Sequence, residues 1–207
     1  MLRHAKRSLR GKIMSWRTDL AAWRRFWQSY RCYKELAPPD RRPPLQFLYP
    51  CLGEDTKVTA IEPVYFYQDA WAFAKIVEKR PILHLDAGSH HKFAALLSKV
   101  VPVIVVDIRP FSLYLSTLDF REGSIVNLPF ADASVPSVSS LCVIEHIGLG
   151  RYGDPIDPYG SEKAISELKR IVQPGGDLYL SLPLDDENRT YFNAHKGFQG
   201  RIRTQAI

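Results

Sequence analysis

Glu122-Gly-Ser-Ile-Val-Asn-Leu-Pro-Phe-Ala-Asp-Ala-Ser-Val-Pro-Ser-Val-Ser-Ser-Leu-Cys-Val-Ile-Glu-His146 is the stretch on which the fold turns. It runs from an acid and a glycine through a Leu-Pro-Phe turn and a polar Asp-Ala-Ser segment to an apolar run that stops at a Glu-His pair. Buried parallel strands read as short apolar runs, and in doubly wound sheets ligands gather at their carboxyl ends. Leu141 to Ile144 is therefore read as a central strand, with Glu145 and His146 at its ligand end.

The same pattern repeats on both sides. Upstream lie apolar runs from Ile82 to Leu85 and from Val103 to Val106, with helices expected over Phe93 to Val100 and from Pro110 to about Leu118. Downstream, Ile165, Leu168 and Val172 mark a helix over Ser161 to Val172. The Pro174-Gly175-Gly176 stop follows, then a strand over Leu178 to Leu182. Pro63 to Val77 reads as a short extended piece and a helix, with Ala70, Phe73, Ala74 and Val77 on one face. Apolar strands alternating with amphipathic helices predict an α/β fold, a doubly wound, mostly parallel Rossmann-like sheet covered on both faces.

The residues just after each strand carry the chemistry. After the first come Asp86, Gly88 and Ser89, a carboxylate beside a residue that lets the backbone approach a ligand closely. After the second comes Asp107, 21 positions beyond Asp86, the spacing at which an acid accepts both ribose hydroxyls of a nucleotide cofactor. The bland alternative for Asp107 is a helix cap before Pro110. No G-x-G-x-x-G follows the first strand, which argues against a nicotinamide enzyme.

The order of these features over roughly 100 residues resembles the class I S-adenosylmethionine-dependent methyltransferase superfamily. Within it the chain looks closest to a bacterial family of unassigned function associated with surface-polysaccharide genes. That likeness rests on Tyr65-Phe-Tyr-Gln-Asp69, Asp107-Ile-Arg-Pro110, Phe192-Asn-Ala-His195 and above all Ile144 to Pro158. The resemblance implies S-adenosylmethionine as cofactor, with Asp86 and the Gly88 backbone near its methionine part, Asp107 at the ribose, Ser124 with the Ile125 backbone at the adenine, and Ser89 and Ile108 also among the cofactor-binding residues. It implies a small-molecule or saccharide acceptor approaching the loop after the fourth strand. There His146 and Asp154 are the candidate catalytic groups, and Arg151, Tyr152 and Asp157 the candidate acceptor ligands. Two departures stand out: Ser89-His90-His91 replaces a more glycine-rich turn, and Ser124 stands where an acid is common. Two further strands usually follow the fifth, and about 24 residues remain after Pro183, so the sheet is expected to be incomplete at its C-terminal end.

Charge divides the chain of 207 residues. Residues 1 to 34 hold ten Lys or Arg and one acid, Asp19, giving +9. The total is +6, so the remainder carries 6 − 9 = −3. The α/β region therefore offers no general electrostatic case for a nucleic-acid substrate. Ile13, Trp16, Leu20, Trp23, Trp27 and Tyr30 recur at helical spacing, with arginines off the stripe. This predicts a basic amphipathic helix over 1–36, suited to peripheral membrane contact or self-association through residues 13–30. A proline-rich linker is read over 37–62 and the methyltransferase-like domain over 63–207. The helix is one candidate to cover the open sheet edge.

No apolar run reaches the roughly 18 to 20 residues that a membrane span needs. Three scattered cysteines suggest neither disulfides nor a metal cluster, so a cytoplasmic location and no metal are expected. The competing reading is a non-catalytic cofactor-binding or scaffold module built on a degenerate fold.

Overall fold

The computed structural model describes residues 20–112 and 114–200, and these divide between Ile61 and Glu62 into two units. In the first, helix α1 covers 20–36 and is followed by single 3-10 turns at Pro39–Arg41 and Leu45–Phe47. Trp27 stacks on Trp23 and meets Tyr30 edge-on, so this part of the expected stripe shares one helix face. Ile13 and Trp16 lie outside the described residues. Arg25 pairs with Asp55, and the Tyr30 hydroxyl donates to the Pro43 carbonyl. No helix among the described residues is long and apolar enough to cross a membrane.

The second unit is built on a five-stranded parallel sheet of β1 (His84–Ala87), β2 (Val103–Asp107), β3 (Leu118–Glu122), β4 (Val135–Leu141) and β5 (Val172–Ser181), ordered β3-β2-β1-β4-β5. Side chains alternate across it as the pleat requires. Val103 and Val105 face α2 (Pro63–Lys79) and α3 (His91–Leu97), together with Ala72, Ile76, Phe93 and Leu97. Leu85, Ile104, Val106 and Val138 face α4 (Gly160–Ile171), with Leu168 and Ile171. Helices on both faces make the sheet doubly wound, and strand order reverses between β1 and β4.

Several boundaries differ from expectation. The first strand starts at His84, and Ile82 is exposed. Helix α2 is helical from Pro63, and its buried residues are Gln68, Ala72 and Ile76; Ala70 and Ala74 face outward. Among the described residues no helix forms between Pro110 and Leu118. Instead Phe111 stacks on Phe120 at 4.8 Å, and Leu118 and Phe120 alternate with exposed Asp119 and Arg121 along β3. The fourth strand is Val135–Leu141, and Ile144–His146 forms a 3-10 turn. Pro174-Gly175-Gly176 sits inside β5 as an irregularity: Val135 pairs with Val172 but Ser137 with Asp177. Past β5 a small second sheet forms from β6 (Leu184–Asp185), β7 (Arg189–Tyr191) and β8 (His195–Gln199), ordered β6-β8-β7. Among the described residues β5 has no strand on its outer side.

Candidate active site

The Leu-Pro-Phe turn owes its shape to α4. Arg170 donates to the carbonyls of Phe130 (2.9 Å) and Leu128 (3.2 Å), while Glu167 accepts from the Leu128 amide at 2.7 Å. The segment from β3 to β4 is thereby fixed to the helix that follows the site, and a cavity of about 290 Å³ opens at the carboxyl ends of β1, β2 and β4. That is the switch point of the sheet, where doubly wound folds bind ligands, and the size is near the low end of the roughly 300–1,000 Å³ usual for ligand pockets.

The structure brings most of the sequence candidates to this one cavity. Gly88, Ser89, Asp107, Ile108, Ser124, Ile125, His146, Tyr152, Asp154 and Asp157 all line it. Asp86 does not. It is fully buried beneath the turn, where one carboxylate oxygen accepts from the Ser139 hydroxyl at 2.6 Å and the other from the Ser89 amide at 3.2 Å. Its expected place beside the cofactor is therefore replaced by a supporting one, holding the turn between β1 and α3. Arg151 reaches the mouth rather than the lining: it donates to the Ala194 carbonyl at 2.9 Å.

Gly88 has φ +75°, and a Cβ there would meet Val143 at 3.1 Å and Asp107 Oδ2 at 3.9 Å. A side chain would fill the space beside the Asp107 carboxylate. Asp107 accepts from the Arg109 amide (2.8 Å) and Nε (3.4 Å), both at Oδ1. Among the described residues Oδ2 has no hydrogen-bond partner, and it lies beside the glycine. The Ser89 hydroxyl accepts from the Leu141 amide at 2.9 Å and ties the turn to β4. Ser124 accepts from the Val126 amide at 3.4 Å, and no carboxylate replaces it on that wall.

At the other end, His146 Nδ1 lies 2.7 Å from the Ala194 carbonyl oxygen, which can only accept, so Nδ1 carries the proton and Nε2 is the basic nitrogen. Nε2 has Glu145 Oε1 at 3.9 Å as its nearest acid. Burial holds the imidazole's pKa below its ordinary value, with the Ala194 hydrogen bond opposing in part. Burial likewise raises Glu145, which is almost wholly enclosed and has one oxygen, Oε2, without a hydrogen-bond partner.

The two acids of the loop are held by local hydrogen bonds. Asp154 accepts from the amides of Gly148 (2.7 Å), Gly150 (3.4 Å) and Tyr152 (3.3 Å). Asp157 accepts from the Tyr159 amide at 2.9 Å and from Lys163 at 2.7 Å. Asp154, expected as a catalytic group, is thus placed as the organiser of its loop, and Asp157 as a turn and ion-pair residue. Lys196 carries no local sequence signal. Nearly buried, its ammonium donates to the Ile147 and Pro158 carbonyls and the Ser161 hydroxyl, each at 3.1 Å, clamping both ends of the same loop. Arg109, His90 and His91 were also missed as lining residues.

The family described as "Caenorhabditis protein of unknown function, DUF268" matches residues 127–207. No curated protein sequence matches the chain. Solved structures similar to it include a complex between the Haloferax volcanii Trm112 methyltransferase activator and a methyltransferase, at 20% identity and TM-score 0.42, covering 60% of this chain and 57% of that one. The YcgJ protein of Bacillus subtilis is similar at 18% identity and TM-score 0.43, with 56% and 52% covered. The Burkholderia thailandensis 1,6-didemethyltoxoflavin-N1-methyltransferase, with bound 1,6-didemethyltoxoflavin and S-adenosylhomocysteine, is similar at 15% identity and TM-score 0.47, with 70% and 76% covered. The chain spans little more than half the length of the first two.

Proposed function

We propose that this protein transfers a methyl group from S-adenosylmethionine to a small-molecule acceptor. The observation that carries the reading is one cavity lined both by Asp107, whose Oδ2 has no partner among the described residues beside Gly88, and by His146, whose Nε2 is the unprotonated ring nitrogen. The methyltransferase structures similar to this chain agree with it in fold. The residues present fit the cofactor: Asp107 Oδ2 would accept from its ribose hydroxyls, the Gly88 turn would lie along its chain, and Ile108 with Ile125 would flank its base.

When bound, the cofactor supplies an electrophilic methyl on a good leaving group, so the protein's task is alignment and proton removal. His146 Nε2 takes the proton from an acceptor hydroxyl or amine, and the Ala194 carbonyl holds the ring and stabilises the positive charge that results. A saccharide is one acceptor class that such a site would serve, and Leu20, Trp23, Trp27 and Tyr30 on α1 would suit contact with a membrane surface or a second copy. Ser124, in place of an acid at the adenine wall, favours the alternative of a cofactor-binding module without catalysis.

The test is incubation of the full chain with methyl-labelled S-adenosylmethionine and a small-molecule extract. Label is expected in a low-mass product; cofactor binding without any transferred label would favour the non-catalytic module.

A further inference from the structure

We propose that the acceptor carries an oxyanion, held at the cavity mouth by Arg109 and Arg151 around Tyr152. The inference rests on the methyl-transfer reading only for the word acceptor; the anion site itself stands on the geometry. Arg109 comes from the segment after β2 and its guanidinium carbon lies 4.4 Å from the Tyr152 ring centroid. Arg151, next to Tyr152 in the loop after β4, lies 5.0 Å from the same centroid. Two guanidiniums near one ring concentrate positive charge at the mouth, and each gains only about 0.5–1 kcal/mol from an exposed cation–π contact. An anionic ligand there would offset that charge.

Stacking occupies a guanidinium's face and leaves its N–H edge free, the geometry that grips a carboxylate or phosphate through paired hydrogen bonds. Little of either edge is engaged. Arg109 Nε makes one long bond to Asp107 at 3.4 Å, and Arg151 Nη1 donates to Ala194 at 2.9 Å. Both side chains are exposed at the mouth.

The acids nearby do not compete. Asp154 is bonded to three amides and Asp157 to Lys163 and an amide; Asp107 alone pairs with Arg109, through Nε at 3.4 Å, leaving the guanidinium's other nitrogens for a ligand. His146 stands edge-on to the Tyr152 ring, with centroids 5.6 Å apart, so an oxyanion gripped here would hold the rest of a small acceptor against the base. A neutral acceptor would offer the remaining guanidinium N–H groups no charged partner.

The experiment is calorimetric titration of the full chain with benzoate and inorganic phosphate as anion probes and benzamide as the neutral match. Arg109→Ala, Arg151→Ala and their Lys counterparts are compared with Arg121→Ala, a control whose arginine pairs with Asp119 away from the mouth. Both anions are expected to bind at millimolar concentration and benzamide not to bind. Each alanine variant should weaken binding about tenfold, the loss of one charge-assisted pair; lysine should recover part of it, and Arg121→Ala should change nothing. Equal binding of benzoate and benzamide, or anion binding unchanged in both alanine variants, overturns the proposal. S-adenosylhomocysteine is titrated in parallel. Its binding without anion binding removes this inference and leaves the cofactor reading intact; anion binding without it does the reverse.

Discussion

His146 Nδ1 and the carbonyl oxygen of Ala194 lie 2.7 Å apart across 48 residues of sequence. That contact selects the tautomer, since the carbonyl has no proton to give, and it exposes Nε2 as the base. His146→Asn keeps an N–H for Ala194 and removes the base. It is expected to lower methyl transfer by about 100-fold or more while S-adenosylhomocysteine affinity, read by titration, stays within about twofold. An unchanged rate would remove His146 from the chemistry.

The pH dependence follows from the same group. Burial lowers the His146 pKa below its ordinary 6.5, so the neutral, active form persists to lower pH than a free imidazole would allow. The acid limb of the rate profile should have its midpoint below pH 6.5 and should vanish from the residual activity of His146→Asn. A midpoint above that value would contradict the assignment.

Beneath the site, the Ser139 hydroxyl joins two buried ionisable groups: it donates to Asp86 at 2.6 Å and takes a hydrogen bond from His84 Nε2 at 2.9 Å. Ser139→Ala leaves both without that partner and should cost about 2–4 kcal/mol in urea unfolding. A loss under about 0.5 kcal/mol would mean that the network relaxes around the gap.

Burial moves these two groups oppositely, His84 down to about 3 and Asp86 up to about 6. Below pH 6.5 the unfolded His84 takes a proton that the folded ring refuses, which favours unfolding as pH falls. Asp86 works the other way: between about 6 and 3.8 the folded carboxyl binds a proton more tightly than the unfolded one, which favours folding as pH falls. Asp86→Asn removes the compensating half. Its stability should therefore fall more steeply than the wild type's between pH 7 and 4.5; a parallel decline would show that Asp86 is not protonated in the fold.

The loop after β4 has two supports. Lys196→Met leaves the Ile147 and Pro158 carbonyls without their donor and should destabilise by about 2–4 kcal/mol. At Gly148, with φ +84°, an added Cβ would stand 1.9 Å from the Asp157 carbonyl oxygen. Gly148→Ala should therefore disrupt the loop outright, with loss of the His146–Ala194 contact visible in amide exchange around residues 146–160. Wild-type protection in that variant would contradict the clamp.

What could be read in the sequence, and what could not, divides along physical lines. β2 is legible because it is apolar on both faces, whereas β1 is only partly so, since His84 and Asp86 form one of its faces. β4 was placed too late because Ser137, Ser139 and Ser140 look like surface residues; their hydroxyls instead meet His84, Asp86 and the Ala87 carbonyl inside the sheet. β3 has no counterpart in the expected elements, since Leu118 and Phe120 alternate with polar residues over too short a run to signal a strand. Gly88, Asp107 and His146 line the cavity, as their positions just after strands lead one to expect. Lys196 and Arg109 are not legible in this way, because their partners lie on other loops and no local spacing signals them.

The central claim is the cofactor site, and calorimetric titration of the full chain with S-adenosylmethionine and S-adenosylhomocysteine tests it most directly, with Asp107→Ala alongside. Micromolar binding that falls by at least about tenfold in Asp107→Ala, where the ribose hydroxyls lose their charged acceptor, is the predicted result. No binding by the folded wild-type chain, or equal binding by wild type and Asp107→Ala, would contradict it.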